Sequence, residues 1–133
     1  MNLIEWDESL SVNDPEMDEQ HRRLVAIIND LYAGMEGGGS AVIAVSALAA
    51  MREYVRKHFS AEECYLRQIG FPGAIAHIKA HNEFCELIEL HCATAMLGET
   101  VPVGELLHAL SAWLVEHLLT EDKKYSDYAA GKR

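Results

Sequence analysis

Five histidines and two carboxylates are spaced along this chain as a two-metal site requires. They are His21, then His58 with Glu62, then His77 with His81, then His117 with Asp122. Each cluster falls in a different helical stretch. A single helix cannot wrap a metal pair, but four antiparallel helices can. The pairs His58/Glu62 and His77/His81 are both i, i+4, so the members of each stand one above the other on a single helix face. Imidazole suits iron, copper, nickel and zinc, and a carboxylate can bridge two ions. Two six-coordinate ions offer about twelve positions. These side chains and one shared oxygen atom fill about eleven, which leaves room for one small molecule.

The helical stretches follow from periodicity. The first 17 residues form an arm with turn formers at Ser11, Asn13, Asp14 and Pro15. Trp6, Leu10 and Val12 are placed to pack that arm on the body. Asp18 is the N-cap candidate for a first helix over 18–36. Its apolar stripe reads Leu24, Val25, Ile28, Leu31, Tyr32 and Met35. Gly37-Gly38-Gly39 breaks the chain, and Ser40 is a cap for a second helix over 40–69. The inner stripe there is Leu48, Met51, Val55, His58, Glu62, Leu66 and Ile69. Gly70 and Pro72 stop it. A third helix spans 74–97 with His77, His81, Phe84 and Ile88 inward. Gly98 and Pro102 punctuate the next loop. A fourth helix spans 103–119, carrying Leu106, Leu107, Leu110, Trp113, Leu114 and His117. Residues 120–133 are a C-terminal segment.

Four amphipathic helices with short loops imply an all-α, up-down-up-down four-helix bundle, a single domain over 1–133. In that topology the starts of helices one and three share an end with the finishes of two and four. At about 1.5 Å per residue, every cluster falls within roughly 17 Å of that end. His91 lies ten residues past His81, about 15 Å away, and stays out. His108 sits off the apolar stripe. Glu63 points to another face than Glu62, and Glu121 is the rival of Asp122.

Composition bounds the partners. The chain has 133 residues, half of them apolar, enough for one core. The formal charge is −10, with no basic stripe, which argues against nucleic acid. Residues 1–20 hold seven acids and no base, a solubilising arm. No stretch reaches the roughly 18 apolar residues of a membrane span, and the N-terminus lacks the pattern of a signal peptide. The expectation is a cytoplasmic monomer without a membrane partner; a weaker reading of the acidic arm is that it faces a protein partner, whose identity the sequence does not give. Cys64, Cys85 and Cys92 are odd in number and read as free thiols, each a small core residue.

These residues resemble the hemerythrins, specifically the single-domain bacterial ones. The likeness rests on Trp6 and Ser11-Val12 in the arm, Asp18-Glu19-Gln20-His21, His58-Phe59 with Glu62-Glu63, His77, His81, and Trp113-Leu114 before His117 and Asp122. The resemblance implies a non-heme di-iron site that binds O2 reversibly. His77, His81 and His117 would hold one iron, and His21 and His58 the other. Glu62, Asp122 and an oxo or hydroxo group would bridge them. O2 would bind at the His21/His58 iron, with Leu114 lining its pocket and Trp113 packed against the ligands. Two residues depart from the family: Asn13 stands where Gly is usual, and Met17 where Ile is. Asn tolerates left-handed turns and Met fills core gaps, so neither is expected to alter function.

The ligand balance favours binding over catalysis. Ferritin-like di-iron oxidases rely on carboxylates, whereas here histidine outnumbers carboxylate. The expected role is oxygen carriage, storage or delivery, not enzymatic turnover. The alternatives are an O2 or redox sensor, a di-iron enzyme acting on peroxide or nitric oxide, and plain iron or zinc handling.

Overall fold

A computed structural model describes residues 3–36, 41–97 and 103–131. Helix α1 spans Pro15–Glu36, α2 Ala41–Gln68, α3 Ala74–Met96, α4 Val103–Leu119 and α5 Glu121–Ala129. The first four form a four-helix bundle, and no strand occurs among the described residues. None of these helices is long and apolar enough to cross a membrane. The expected break at Gly37-Gly38-Gly39, the Ser40 cap and the Gly98 and Pro102 punctuation lie outside the described residues.

The core is the set of stripes read from periodicity. Leu24, Val25 and Ile28 of α1 meet Leu48, Met51, Val55 and Phe59 of α2, Phe84 and Ile88 of α3, and Leu106, Leu110, Leu114 and Leu118 of α4. Cys92 is buried with them and Cys85 is half-buried, but Cys64 is exposed, so the expectation of a core thiol fails there. On α2 the side chain of Cys64 falls two positions past Glu62, which turns it away from the bundle axis. Gly70 ends α2 in the left-handed region at φ 68°, with Phe71 N donating to Leu66 O.

The arm differs from its sequence reading. Helix α1 begins at Pro15, not after Asp18. Asp14 is the cap, accepting from Met17 N at 3.0 Å, and Pro15 occupies the first turn, where it loses no hydrogen bond. Asp18 is released to hold the arm instead. Its carboxylate accepts from Ser11 Oγ at 2.6 Å and Val12 N at 2.8 Å. Asn13, the next residue, has φ 59°, the one non-glycine residue in the left-handed region among those described. That is the turn the sequence comparison with a family glycine anticipated. Met17 is buried as expected, beside Val12, Leu66 and Tyr125. Leu10 and Val12 are buried; Trp6 is half-buried beneath the Arg22 guanidinium, 5.2 Å from its ring.

A break at Thr120 separates α4 from α5. In an unbroken helix Asp122 would lie about 140° around the axis from His117. The break redirects α5 so that Asp122, Tyr125 and Ser126 turn inward and are buried. Neither this helix nor its break was visible in the periodicity of the 120–133 segment.

Farther up the arm, Asn29 clamps the chain at Ile4 from both sides. Its Oδ1 accepts from Ile4 N at 3.0 Å and its Nδ2 donates to Ile4 O at 2.9 Å. Replacing Asn29 with Ala removes both bonds and leaves buried backbone groups unpaired. We expect Asn29→Ala to lower unfolding free energy by about 1–3 kcal/mol, measured by urea denaturation. An unchanged midpoint would show that the arm is not clamped there.

Candidate metal centre

At the end of the bundle predicted from helix direction, the seven side chains meet. His21 comes from the first turns of α1, His58 and Glu62 from the last turns of α2, His77 and His81 from the start of α3, His117 from the end of α4 and Asp122 from α5. All seven are at most 5% exposed, and Glu62 is fully buried. Their ligand atoms form two overlapping groups, Glu62 with His77, His81, His117 and Asp122, and Glu62 with His21 and His58.

The carboxylate oxygens sort the histidines. Glu62 Oε1 lies 3.1 Å from His77 Nε2 and 2.9 Å from His81 Nε2. Glu62 Oε2 lies 2.9 Å from His21 Nε2 and 3.6 Å from His58 Nε2. Asp122 repeats the division. Its Oδ1 is 3.0 Å from both His77 Nε2 and His117 Nε2, and its Oδ2 is 3.3 Å from His21 Nε2. Glu62 thus separates His77 and His81 from His21 and His58, and Asp122 separates His77 and His117 from His21, so that together three histidines fall on one side and two on the other.

Several of these close approaches are not hydrogen bonds. His81 Nε2, His117 Nε2 and both oxygens of Asp122 are buried without a hydrogen-bond partner despite the short distances. These residues instead each offer a ligand atom that lies within 4.8 Å of the other ligand atoms of their group. A buried carboxylate without donors is strongly unfavourable unless a cation satisfies it. Neutral imidazole nitrogens and anionic oxygens converging at this density fit divalent metal ions.

Electrostatics agree. Burial opposes the charge on Glu62, but hydrogen bonds from His21 and His77 and the close approach of His81 hold its carboxyl well below the usual range. Burial and the Glu62 charge both push Asp122 up, yet His117 and His77 bring it below its ordinary value. Burial pushes His77 down, but Asp122 and Glu62 outweigh it and raise it to about 9. His58, for which burial dominates, falls to about 4.

Around these groups lies a second ring of contacts. His58 Nδ1 donates to Gln20 Oε1 at 2.7 Å, and His81 Nδ1 to Glu63 Oε2 at 2.9 Å. These bonds turn each Nε2 lone pair inward. Phe59 stacks on His81 with centroids 3.7 Å apart, and Trp113 on His117 at 4.4 Å. Tyr125, fully buried, donates its hydroxyl to Glu62 Oε2 at 2.9 Å. Burial and the neighbouring carboxylates push its phenol upward, so it stays protonated.

Gln20 and Tyr125 were not singled out from the sequence. Tyr125 follows Asp122 by three positions, a helical spacing that could have marked it. Glu63 does leave the Glu62 face, but its side chain still reaches the outer nitrogen of His81. Glu121 pairs with Lys124 at the surface, which leaves Asp122 as the inward carboxylate. His91 bonds Leu87 O and His108 packs edge-on to Tyr32; neither joins.

The sign of the pH dependence follows from His77. Without metal it is protonated at neutral pH, because its value lies above the ordinary 6.5. Metal binding must displace that proton. We expect the affinity of the metal-free protein for Zn2+ or Fe2+ to rise roughly tenfold per pH unit per displaced proton from about pH 7, and to flatten above about 9. Competition titrations with a chelator measure this; an affinity flat from pH 7 to 9 would contradict it.

Comparison with known proteins supplies the family. A family model described as the hemerythrin HHE cation binding domain matches residues 13–129. The bacteriohemerythrin of Pseudomonas aeruginosa is 31% identical over 127 residues, covering 96% of this chain and 82% of that protein. A bacteriohemerythrin of Stenotrophomonas maltophilia is 28% identical with the same coverage. A hemerythrin-like protein of Naegleria gruberi is 32% identical over 120 residues, covering 90% of this chain and 88% of that one. The fold is similar to a crystal structure of a hemerythrin mutant, with TM-score 0.89 at 24% identity over 95% of this chain and 96% of that chain. Since the family match runs from the left-handed turn of the arm through α5, the chain belongs to the hemerythrin family.

Proposed function

We propose that this cluster holds two iron ions and that the protein binds O2 reversibly, as a carrier, store or delivery protein. The observation that supports it is the division of the histidines by two carboxylates, whose oxygens together set His77, His81 and His117 on one side and His21 and His58 on the other. When bound, the iron pair supplies the two electrons that reversible O2 binding requires. His77, His81 and His117 would hold one ion, His21 and His58 the other, with Glu62 and Asp122 bridging. The two-histidine side has fewer protein donors, so it is there that a bound ion would have room for a small molecule.

The chain supplies the environment that favours release over turnover. One helical turn deeper from His21, His58, His81 and His117 stand Leu24, Val55, Phe84 and Leu114. All four are at most 2% exposed. This apolar layer admits a small apolar gas and keeps out water and protons. Neutral imidazoles predominate over carboxylates, unlike the carboxylate-rich oxidases.

A sensor is the second reading, favoured by the wiring of the arm. Ser126 Oγ donates to Val12 O at 2.8 Å, and Lys123 Nζ donates to Ser11 O. Both donors lie on α5, the helix that carries Asp122. A change at the site could reach the arm through that short helix.

The test is an anaerobic optical titration with metal analysis. We expect about two irons per chain and a visible charge-transfer band that appears with O2 and disappears under argon. An irreversible shift would favour sensing or an enzyme, and zinc or one ion per chain would overturn the di-iron reading. Leu114→Ala should cost about 2–5 kcal/mol of stability and speed irreversible oxidation by thinning the apolar layer. The decay rate of the O2 band in air measures this; an unchanged rate would mean Leu114 guards nothing.

A further inference from the structure

The hydrogen bonds behind the two halves of the site are unequal. His81, on the three-histidine side, donates to a charged acceptor, the Glu63 carboxylate. His58, on the two-histidine side, donates to a neutral one, the Gln20 amide oxygen. A charged acceptor draws the Nδ1 proton and makes the imidazole a stronger donor at Nε2. A neutral amide does this less. Glu63 therefore increases electron donation on one side only.

Tyr125 acts on the other. Its hydroxyl donates to Glu62 Oε2, the oxygen that faces His21 and His58. Glu62 Oε1, facing His77 and His81, receives no such donor from Tyr125. A hydrogen bond to a ligating oxygen withdraws electron density from it. Tyr125 thus weakens donation on the two-histidine side.

We propose that Glu63 and Tyr125 are positioning residues with opposite effects on the redox balance of the metal pair. Glu63 enriches the three-histidine position through His81, and Tyr125 depletes the two-histidine position through Glu62. Both make the two positions unequal in the same sense. Neither residue touches the metals, and the inference rests on the two-iron reading.

Spectroelectrochemistry of the iron-loaded protein tests it. Glu63→Gln removes the charged acceptor and should shift the reduction potential upward. Tyr125→Phe frees Glu62 Oε2 to donate and should shift it downward. Gln20→Glu adds a charge behind His58 and should also shift it downward. Iron content should stay near two per chain in each, and Glu63→Gln with either of the other two suffices for the comparison. Simple loosening of the site would not give this pattern of signs. Shifts of one sign in all variants, or no shift, would overturn the proposal. A second measurement separates its failure from that of the di-iron reading. In the zinc-loaded protein, the His81 Nδ1–H proton should resonate farther downfield than that of His58 and move upfield in Glu63→Gln. Equal positions for the two would overturn the inference even if the wild type carries two irons.

Discussion

Everything at the site depends on two buried carboxylates that each face two ways. Glu62 and Asp122 are at most 1% exposed and accept or approach histidine nitrogens from four different helices. Like charges this close in a dry interior repel, and the Glu62 charge does push Asp122 upward. Both remain ionised because histidines surround them. Protons on those histidines can satisfy part of this demand, as the value of about 9 for His77 shows. The unpaired oxygens of Asp122 show that protons alone do not meet all of it. Metal cations do, and the family to which the chain belongs is described as cation binding.

The bundle supplies what the carboxylates need. Antiparallel helices bring the start of α1 and α3 beside the end of α2 and α4, and the break at Thr120 turns Asp122 into the same layer. Immediately deeper stands the apolar layer of Leu24, Val55, Phe84 and Leu114. The same helical phase that aims the histidines inward aims these residues inward one turn on. Outside, Phe59 and Trp113 stack on His81 and His117, and Gln20 and Glu63 hold outer nitrogens. The rings of His58, His81 and His117 are thus fixed from behind, which keeps their inner geometry narrow.

Much of this was legible before any coordinates. The i, i+4 pairs His58/Glu62 and His77/His81 announce helical faces, and helix direction alone gathers them at one end. The helix boundaries from Ala74 and from Val103 follow from Gly and Pro punctuation. What escaped was local. Asp18 looked like a cap because it precedes an apolar stripe, but Asp14-Pro15 offers the better cap and first-turn pair, and Asp18 ties the arm. The fifth helix escaped because its nine residues are mostly polar and only one face is buried. With it went Tyr125, whose role depends on a break that periodicity cannot show. Glu63 was placed on the correct face, yet a long side chain reaches around a helix, and face assignment says nothing of reach.

The most direct measurement is anomalous X-ray diffraction at the iron edge from crystals of the iron-loaded protein. The account predicts two iron peaks per chain, about 3.5 Å apart, one beside His77, His81 and His117 and the other beside His21 and His58, with Glu62 and Asp122 between them. A single peak, or two peaks not spanned by those carboxylates, would contradict it.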